Sequence, residues 1–499
     1  MKKIFFVFLL SISSFLYAGD VQSIGGQTKT YVGKWIIENG TYTVKVSPKD
    51  DKRKNLLAFP FNTKRYAGKK VFFECEVRGE KISKPTSSWN GVKFMLVIKN
   101  ADGSADYPSA SKIPIGSFDW KKARFSVYIP KDAKYASIEI GLQQSSGTAV
   151  FRNIKYQVFE QKKIDLPENF KAQYSDRVKN MPALRGFMCN TKPYRPNDFV
   201  DMKAWGAKLI RYQMGRSFAK IVQDTSIEDY DKWLDEQIAT LKIALDDAQK
   251  LGLLIVVDMH TPPGGREADR EFRMFHDEKY AKYFVKAWQK IATAVKGHKA
   301  IWCYNLINEP WQKRPAKFDY LTLQYEAAKA IRKIDPHTPI TIESNDASAE
   351  SSFAYLQPLP LKDIIYQFHM YTPGEYTHQS VFDNTNAKKG IFLKYPDEKK
   401  TLYSKKGLEK KMKPVIDFQK KYGVRIYVGE FSTVRYAPGG AQYLQDLTDI
   451  FNKYNWDWTY HAFRESHFWD VEFCDEYKSR KKSEVDTERK KVLLDALKN

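Results

Sequence analysis

Arg211, His260, Asn308, Glu309, His369, Tyr371 and Glu430 each fall at the end of an apolar run, and each can hold, give or accept a proton. The segment NLINEP at 305–310 shows the pattern, because it follows the apolar AIWCY at 300–304. Such a run closed by proline reads as a buried strand that stops, which puts Asn308 and Glu309 at its C-terminal rim. One histidine or glutamate at a strand end is ordinarily a satisfied hydrogen-bonding residue. Carboxyl, imidazole, guanidinium and phenol groups recurring on strand after strand argue instead for a catalytic rim of convergent titratable groups.

Such a rim needs a frame that gathers strand ends. Strands are expected at 183–189, 207–212, 253–259, 300–307, 339–344, 364–369, 425–429 and 456–462, with helices at 227–251, 279–295, 320–334 and 406–421 between them. That alternation predicts an α/β fold, a (β/α)8 barrel over 181–499, with the rim at the strands' C-terminal ends. The preceding 19–160 behaves differently. Short alternating stretches at 41–46, 71–77, 92–100, 123–130, 136–143 and 145–159, parted by Gly, Pro, Asn and Asp, predict an N-terminal antiparallel β-sandwich. The polar stretch 161–180 reads as a linker. Residues 1–18, with Lys2, Lys3, an apolar run and a small Ala18, read as a signal peptide cleaved near Gly19 or Asp20. The mature protein is then expected to be secreted, extracellular or periplasmic, with no membrane span.

The 499 residues are 42% hydrophobic, enough to bury the cores of two or three domains. Cys75, Cys189, Cys303 and Cys474 lack metal-ligand spacing, so neither a metal nor another cofactor is expected, and free thiols are the first reading. A Cys189–Cys474 bridge is the alternative. The net charge of +23 could attract acidic glycans, anionic surfaces or nucleic acid, but the lysines are scattered and read as solvated faces. No nucleic-acid recognition motif accompanies them, so no such partner is expected. TPPGG at 261–265 is a turn rather than a phosphate loop, since no strand-loop-helix fingerprint surrounds it.

The strand-end motifs LIRYQM, VVDMHTPPGG, NLINEP, YQFHMYTP and IYVGEFS, in that order, resemble those of glycoside hydrolase family 5, a family of cellulases, mannanases and related β-glycanases. The last strands of the sandwich, at 118–142 and 145–159, resemble those of jelly-roll carbohydrate-binding modules. The resemblance implies a retaining hydrolase of β-linked polysaccharide or oligosaccharide. Glu309 would be the acid/base and Glu430 the nucleophile. Asn308 would hold the sugar's 2-hydroxyl, His369 and Tyr371 would position the carboxylates, and Arg211 and His260 would support them. The substrate read first is a β-1,4-glucan. Mannan, a β-1,3-glucan or a catalytically silent glycan-binding role are alternatives, and the protein is expected to be a monomer. The two carboxyls need opposite protonation states, so Arg211 is expected to keep Glu430 charged and burial to keep Glu309 neutral. Where the family usually ends its eighth strand in tryptophan, this chain has His461. Trp458 is then expected in the core, Trp469 to reach the cleft from the next loop, and Phe463 and Arg464 are further lining candidates. Tyr376, His378 and Gln379 in the long connection 372–405 could line a sugar subsite. Trp89, in a turn of the sandwich, could stack on sugar or sit in its core.

Overall fold

In the computed structural model, residues 22–23, 29–30, 34–87, 89–110, 113–159, 162–189, 193–216, 223–267 and 270–498 are described. The signal-peptide stretch 1–18 lies outside them. The chain divides into two compact units, Met1–Gln161 with Lys313–Lys317, and Lys162–Gln312 with Phe318–Asn499.

The first unit is an antiparallel sandwich. One sheet holds β1 (Gln22–Ser23), β3 (Lys34–Glu38), β4 (Thr41–Val46), β6 (Lys70–Ile82), β9 (Gly116–Tyr128) and β11 (Gly147–Val158). The other holds β2 (Lys29–Thr30), β5 (Lys54–Phe61), β7 (Gly91–Lys99), β8 (Ala105–Asp106) and β10 (Tyr135–Gln143). Side chains alternate faces along each strand, and the cross-strand pairs show it. Phe73 lies opposite Phe125 and stacks on it inside, with ring centroids 4.8 Å apart. The next pair, Glu74 and Arg124, faces outward as a 2.6 Å ion pair. Sequence periodicity misses β3 and β5. KNLLAFPF is apolar without alternation, and its Pro60 argues against a strand. In the structure Pro60 nonetheless lies within β5, opposite Ser137 of β10.

The second unit is a closed parallel barrel of eight strands: β12 (Arg185–Cys189), β13 (Leu209–Gln213), β14 (Leu254–Asp258), β15 (Ile301–Asn305), β16 (Ile340–Glu343), β17 (Ile364–Met370), β18 (Arg425–Phe431) and β19 (Asp457–Phe463). Helices between them bury an apolar stripe and carry clear ends. The helix Ile227–Leu251 is capped by the Ser226 hydroxyl and stops at Gly252, whose φ of 65° suits glycine. The helix expected at 406–421 is two, Lys405–Lys411 and Lys413–Tyr422. Pro414 has no N–H to continue the first helix but fits the opening turn of the second. From Lys162 on, the stretch read as a linker is held to the barrel unit. Tyr174 donates to the Ile364 carbonyl at 2.8 Å, and Val178, Tyr174 and Met181 pack on Leu209, Val256, Trp302 and Ile365. Its few apolar residues plug the end of the barrel opposite the strands' C-termini, so polarity alone misreads it.

Candidate active site

The C-terminal strand ends bring together Arg211 from β13, Asp258 from β14, Asn308 and Glu309 just after β15, Glu343 from β16, His369 from β17 with Tyr371 just beyond it, and Glu430 from β18. Pairing of β17 with β18 sets His369 directly against Glu430. Arg211 has no exposed surface and is the hub. It donates to Glu430 at 2.5 Å, to Asn308 at 2.9 Å, to Asn305 at 3.1 Å and to Glu343 at 3.1 Å, and it pairs with Asp258 at 3.2 Å. Burial opposes the guanidinium charge, but Asp258, Glu430 and Glu343 outweigh it and lift its pKa further. His260 contacts Asp258 through Nδ1 at 2.9 Å, and the Asn308 amide nitrogen reaches its Nε2 at 3.3 Å.

Glu430 is nearly buried and receives Arg211 on one oxygen and the Tyr371 hydroxyl, at 2.8 Å, on the other. Burial raises its pKa, but the charges of His369, His461, Arg211 and His260 prevail and hold it well below the usual carboxylate range. Burial and the Glu430 charge push the Tyr371 phenol far up, so it stays a donor. Glu309 keeps 33% of its side-chain surface and meets His369 Nδ1 at 3.2 Å. Here the upward shift expected from burial is not the net direction. Burial does raise the Glu309 pKa, but the His369 hydrogen bond, with the charges of His369 and Arg266, brings it below its ordinary value. His369 correspondingly titrates higher than a free imidazole, burial being overcome by Glu430, Glu343 and Glu309. Glu309 and His369 are one hydrogen bond apart.

Backbone strain concentrates at the same place. Glu309 has a φ of 50°, and Asp346, Ala347 and Ser348 follow β16 with φ of 57°, 59° and 59°. Left-handed conformations cost L-residues roughly 1–3 kcal/mol each and persist where neighbours hold them. The holders are visible. Glu343 accepts the Glu309 N–H at 2.8 Å, Arg266 donates to the Glu309 carbonyl at 3.0 Å, and the Ala347 N–H reaches the Pro310 carbonyl at 3.1 Å.

Above these groups lies an open cleft of about 660 Å³, of ligand-site size, lined by His260, Arg270, Asn308, Glu309, Trp311, Glu350, His369, Tyr371, His378, Phe382, Glu430, His461 and Trp469, among others. Phe382, 78% exposed, Trp311 and the largely buried Trp469 are the aromatic residues of this lining besides Tyr371 and the histidines. Glu309, His369 and Glu430 each place a ligating atom within 4.8 Å of the others, so they are the described residues that could hold a cation. Their atoms already face protons and cations, with His369 on Glu309 and Arg211 and Tyr371 on Glu430. The same figure puts an oxygen of Glu309 within 4.8 Å of an oxygen of Glu430.

The model of the cellulase family, glycosyl hydrolase family 5, matches residues 173–466. The chain belongs to glycosyl hydrolase family 5. It is therefore a glycoside hydrolase. It is 27% identical over 239 residues to Endoglucanase C of Acetivibrio thermocellus, spanning 44% of this chain and 68% of that relative. To Cellodextrinase A of Ruminococcus flavefaciens it is 22% identical over 265 residues, spanning 52% and 75%. A structure of Thermotoga maritima Cel5A in complex with cellobiose shares the fold, with a TM-score of 0.50 at 21% identity, over 64% of this chain and 99% of that one.

Within this family member, the structure gathers Arg211, His260, Asn308, Glu309, His369, Tyr371 and Glu430 at one rim, and Trp469 reaches the cleft beside them. His461 lies on the cleft wall where a family tryptophan was expected, its ring 5.8 Å from that of Trp469. Trp458 is fully buried against Phe431. The other lining candidates divide. His378 lines the cleft, and burial together with the His461 charge pushes its pKa down to about 4. Tyr376 is buried among Tyr395, Tyr403 and Tyr443, and the Gln379 amide is spent on the backbone of Leu393. Phe463 packs on Phe187 and Trp205, while Arg464 pairs with Asp201 and Glu472. The four cysteines are free thiols, and the Cys189–Cys474 bridge is not formed. Sequence reading missed Asp258, Arg266, Glu343 and Gln367. The signal was available for Glu343, which ends the expected fifth strand in ITIESN, and for Asp258, two residues before His260.

Proposed function

We propose that this family member is a retaining β-glycanase acting on β-1,4-linked glucan, with Glu430 as nucleophile and Glu309 as acid/base. The observation that carries the mechanism is the separation of Glu309 and Glu430, whose oxygens lie within 4.8 Å. Retaining enzymes hold their carboxyls about 5–5.5 Å apart, whereas inverting ones leave room for a water at about 6.5–9.5 Å. The endoglucanase and cellodextrinase names of two relatives support the glucan.

In this reading Glu430, kept ionised by its cationic neighbours and stripped of water, attacks the anomeric carbon. The bond to the leaving glycan breaks, and its oxygen takes a proton from Glu309. Glu309 holds that proton once bound sugar displaces water and raises its pKa. Glu309, now a carboxylate, then takes a proton from water, whose oxygen attacks the anomeric carbon and releases Glu430. Tyr371 and Arg211 hold the Glu430 oxygens throughout. A hydrolysis panel of carboxymethylcellulose, mannan, xyloglucan, xylan and laminarin, with product sizing, tests the substrate. Carboxymethylcellulose is expected to be cut fastest, and preference for mannan or laminarin would replace the glucan assignment. Proton NMR of the first product tests the stereochemistry, where an inverted anomer defeats double displacement.

For the sandwich we propose glycan binding by the surface that carries Trp89, which is 72% exposed in its turn and so is not a core residue. An indole held out in water offers a flat face to a pyranose ring. The protein is expected to be retained on insoluble cellulose, and Trp89→Ala to weaken that retention several-fold. Retention unchanged by the substitution rules the surface out.

A further inference from the structure

Glu343 ends β16 with no exposed surface, behind the residues that line the cleft. Five donors converge on its carboxyl. Arg211 Nη2 at 3.1 Å, Asn305 Nδ2 at 2.8 Å and Gln367 Nε2 at 2.6 Å meet Oε1, while the Glu309 N–H at 2.8 Å and the Ser348 hydroxyl meet Oε2. The hydroxyl can turn, but the four nitrogen donors cannot accept, so only a side chain that accepts at both oxygens satisfies the set. Gln367 in turn lies against Gly429, where a Cβ would come within 2.3 Å of its amide nitrogen, so this glycine gives the amide its room.

We propose that Glu343 is a positioning residue that sets Glu309 relative to Glu430, gripping the Glu309 backbone through one oxygen and Arg211, the support of Glu430, through the other. This rests on the roles proposed above for the two glutamates. A second observation leads to the same carboxyl. The left-handed turn Asp346, Ala347 and Ser348 is an unfavourable conformation for three consecutive L-residues, and it delivers the Ser348 hydroxyl to Oε2 while its Ala347 N–H ties the Pro310 carbonyl. Arg266 holds the Glu309 and Asn308 carbonyls from the other side. Glu309 is thus clamped at its N–H and its carbonyl, which fixes the backbone from which its carboxyl reaches the cleft.

The test is Glu343→Gln, which keeps the volume but turns an NH2 toward one set of donors. If Glu343 aims the proton donor, kcat/KM on phenyl β-cellobioside should fall by about 100-fold, part of what general acid catalysis supplies. On 2,4-dinitrophenyl β-cellobioside, whose leaving group needs no proton, the initial burst should survive and azide should speed turnover by replacing the base-activated water. Equal losses on both substrates without azide rescue would mean general distortion and overturn the proposal. Should circular dichroism show the variant unfolded, Ser348→Ala decides, with the same pattern at about 10-fold, the size of one hydrogen bond to a charged group. A uniform loss or wild-type behaviour there overturns the proposal equally. Glu309→Ala run alongside separates the two ideas. If it lacks azide rescue, the acid/base assignment of Glu309 falls, whatever Glu343 does.

Discussion

Glu430→Ala is expected to lower kcat on a β-1,4-glucan substrate by on the order of 10⁵-fold, the scale on which an enzyme loses its nucleophile. The environment explains the size. Four cationic or potentially cationic neighbours, His369, His461, Arg211 and His260, hold this carboxylate ionised in a site almost closed to water. Glu309 is within 4.8 Å but faces His369. Single-turnover kinetics on 2,4-dinitrophenyl β-cellobioside check it, because the wild type should show a burst that the variant lacks. Turnover within about ten-fold of wild type would be far too fast for an enzyme without its nucleophile and would sink the assignment.

Arg211→Met should be the most damaging change to stability. It leaves Asp258, Glu343 and Glu430 buried around a thioether, and breaking a buried ion cluster from one side costs about 3–5 kcal/mol. Urea denaturation followed by tryptophan fluorescence measures the loss. The pH dependence has a definite sign. Glu430 titrates lower in the folded protein than the ordinary value of 4.5, so its contribution is present above that value and fades as pH falls through the folded pKa. Arg211 is one source of that contribution, so the gap between wild type and variant should be widest at neutral pH and narrow on acidification. A gap that is constant with pH would mean that Arg211 acts through packing alone.

Much of the rim could be read from residue order. Each barrel strand was legible because a buried parallel strand is a short apolar run with a turn or proline after it, and Asn308, Glu309, His369 and Glu430 stood at those ends. Glu343 stood there too, but a single acidic residue in ITIESN has no pattern of its own. Its importance arises from five donors contributed by β13, β15, β17 and two turns, which meet only when the barrel closes. Tyr376 and Gln379 show the opposite error. A long connection on the active face invites a functional reading, yet their partners Tyr443 and Leu393 lie far enough along the chain that no local pattern marks them as buried.

By itself the sequence determined the α/β barrel, the sandwich before it and the strand-end placement of Glu309 and Glu430, because periodicity and strand-end placement are local properties of the chain. Only the tertiary structure decided which way the Glu309 pKa moves. Burial argued for a neutral acid, but closure of the barrel also brings His369 to 3.2 Å and Arg266 onto the backbone carbonyl, and charge at that range outweighs desolvation. That direction depends on distances among residues 60 and 43 positions apart along the chain, and those distances exist only in the fold.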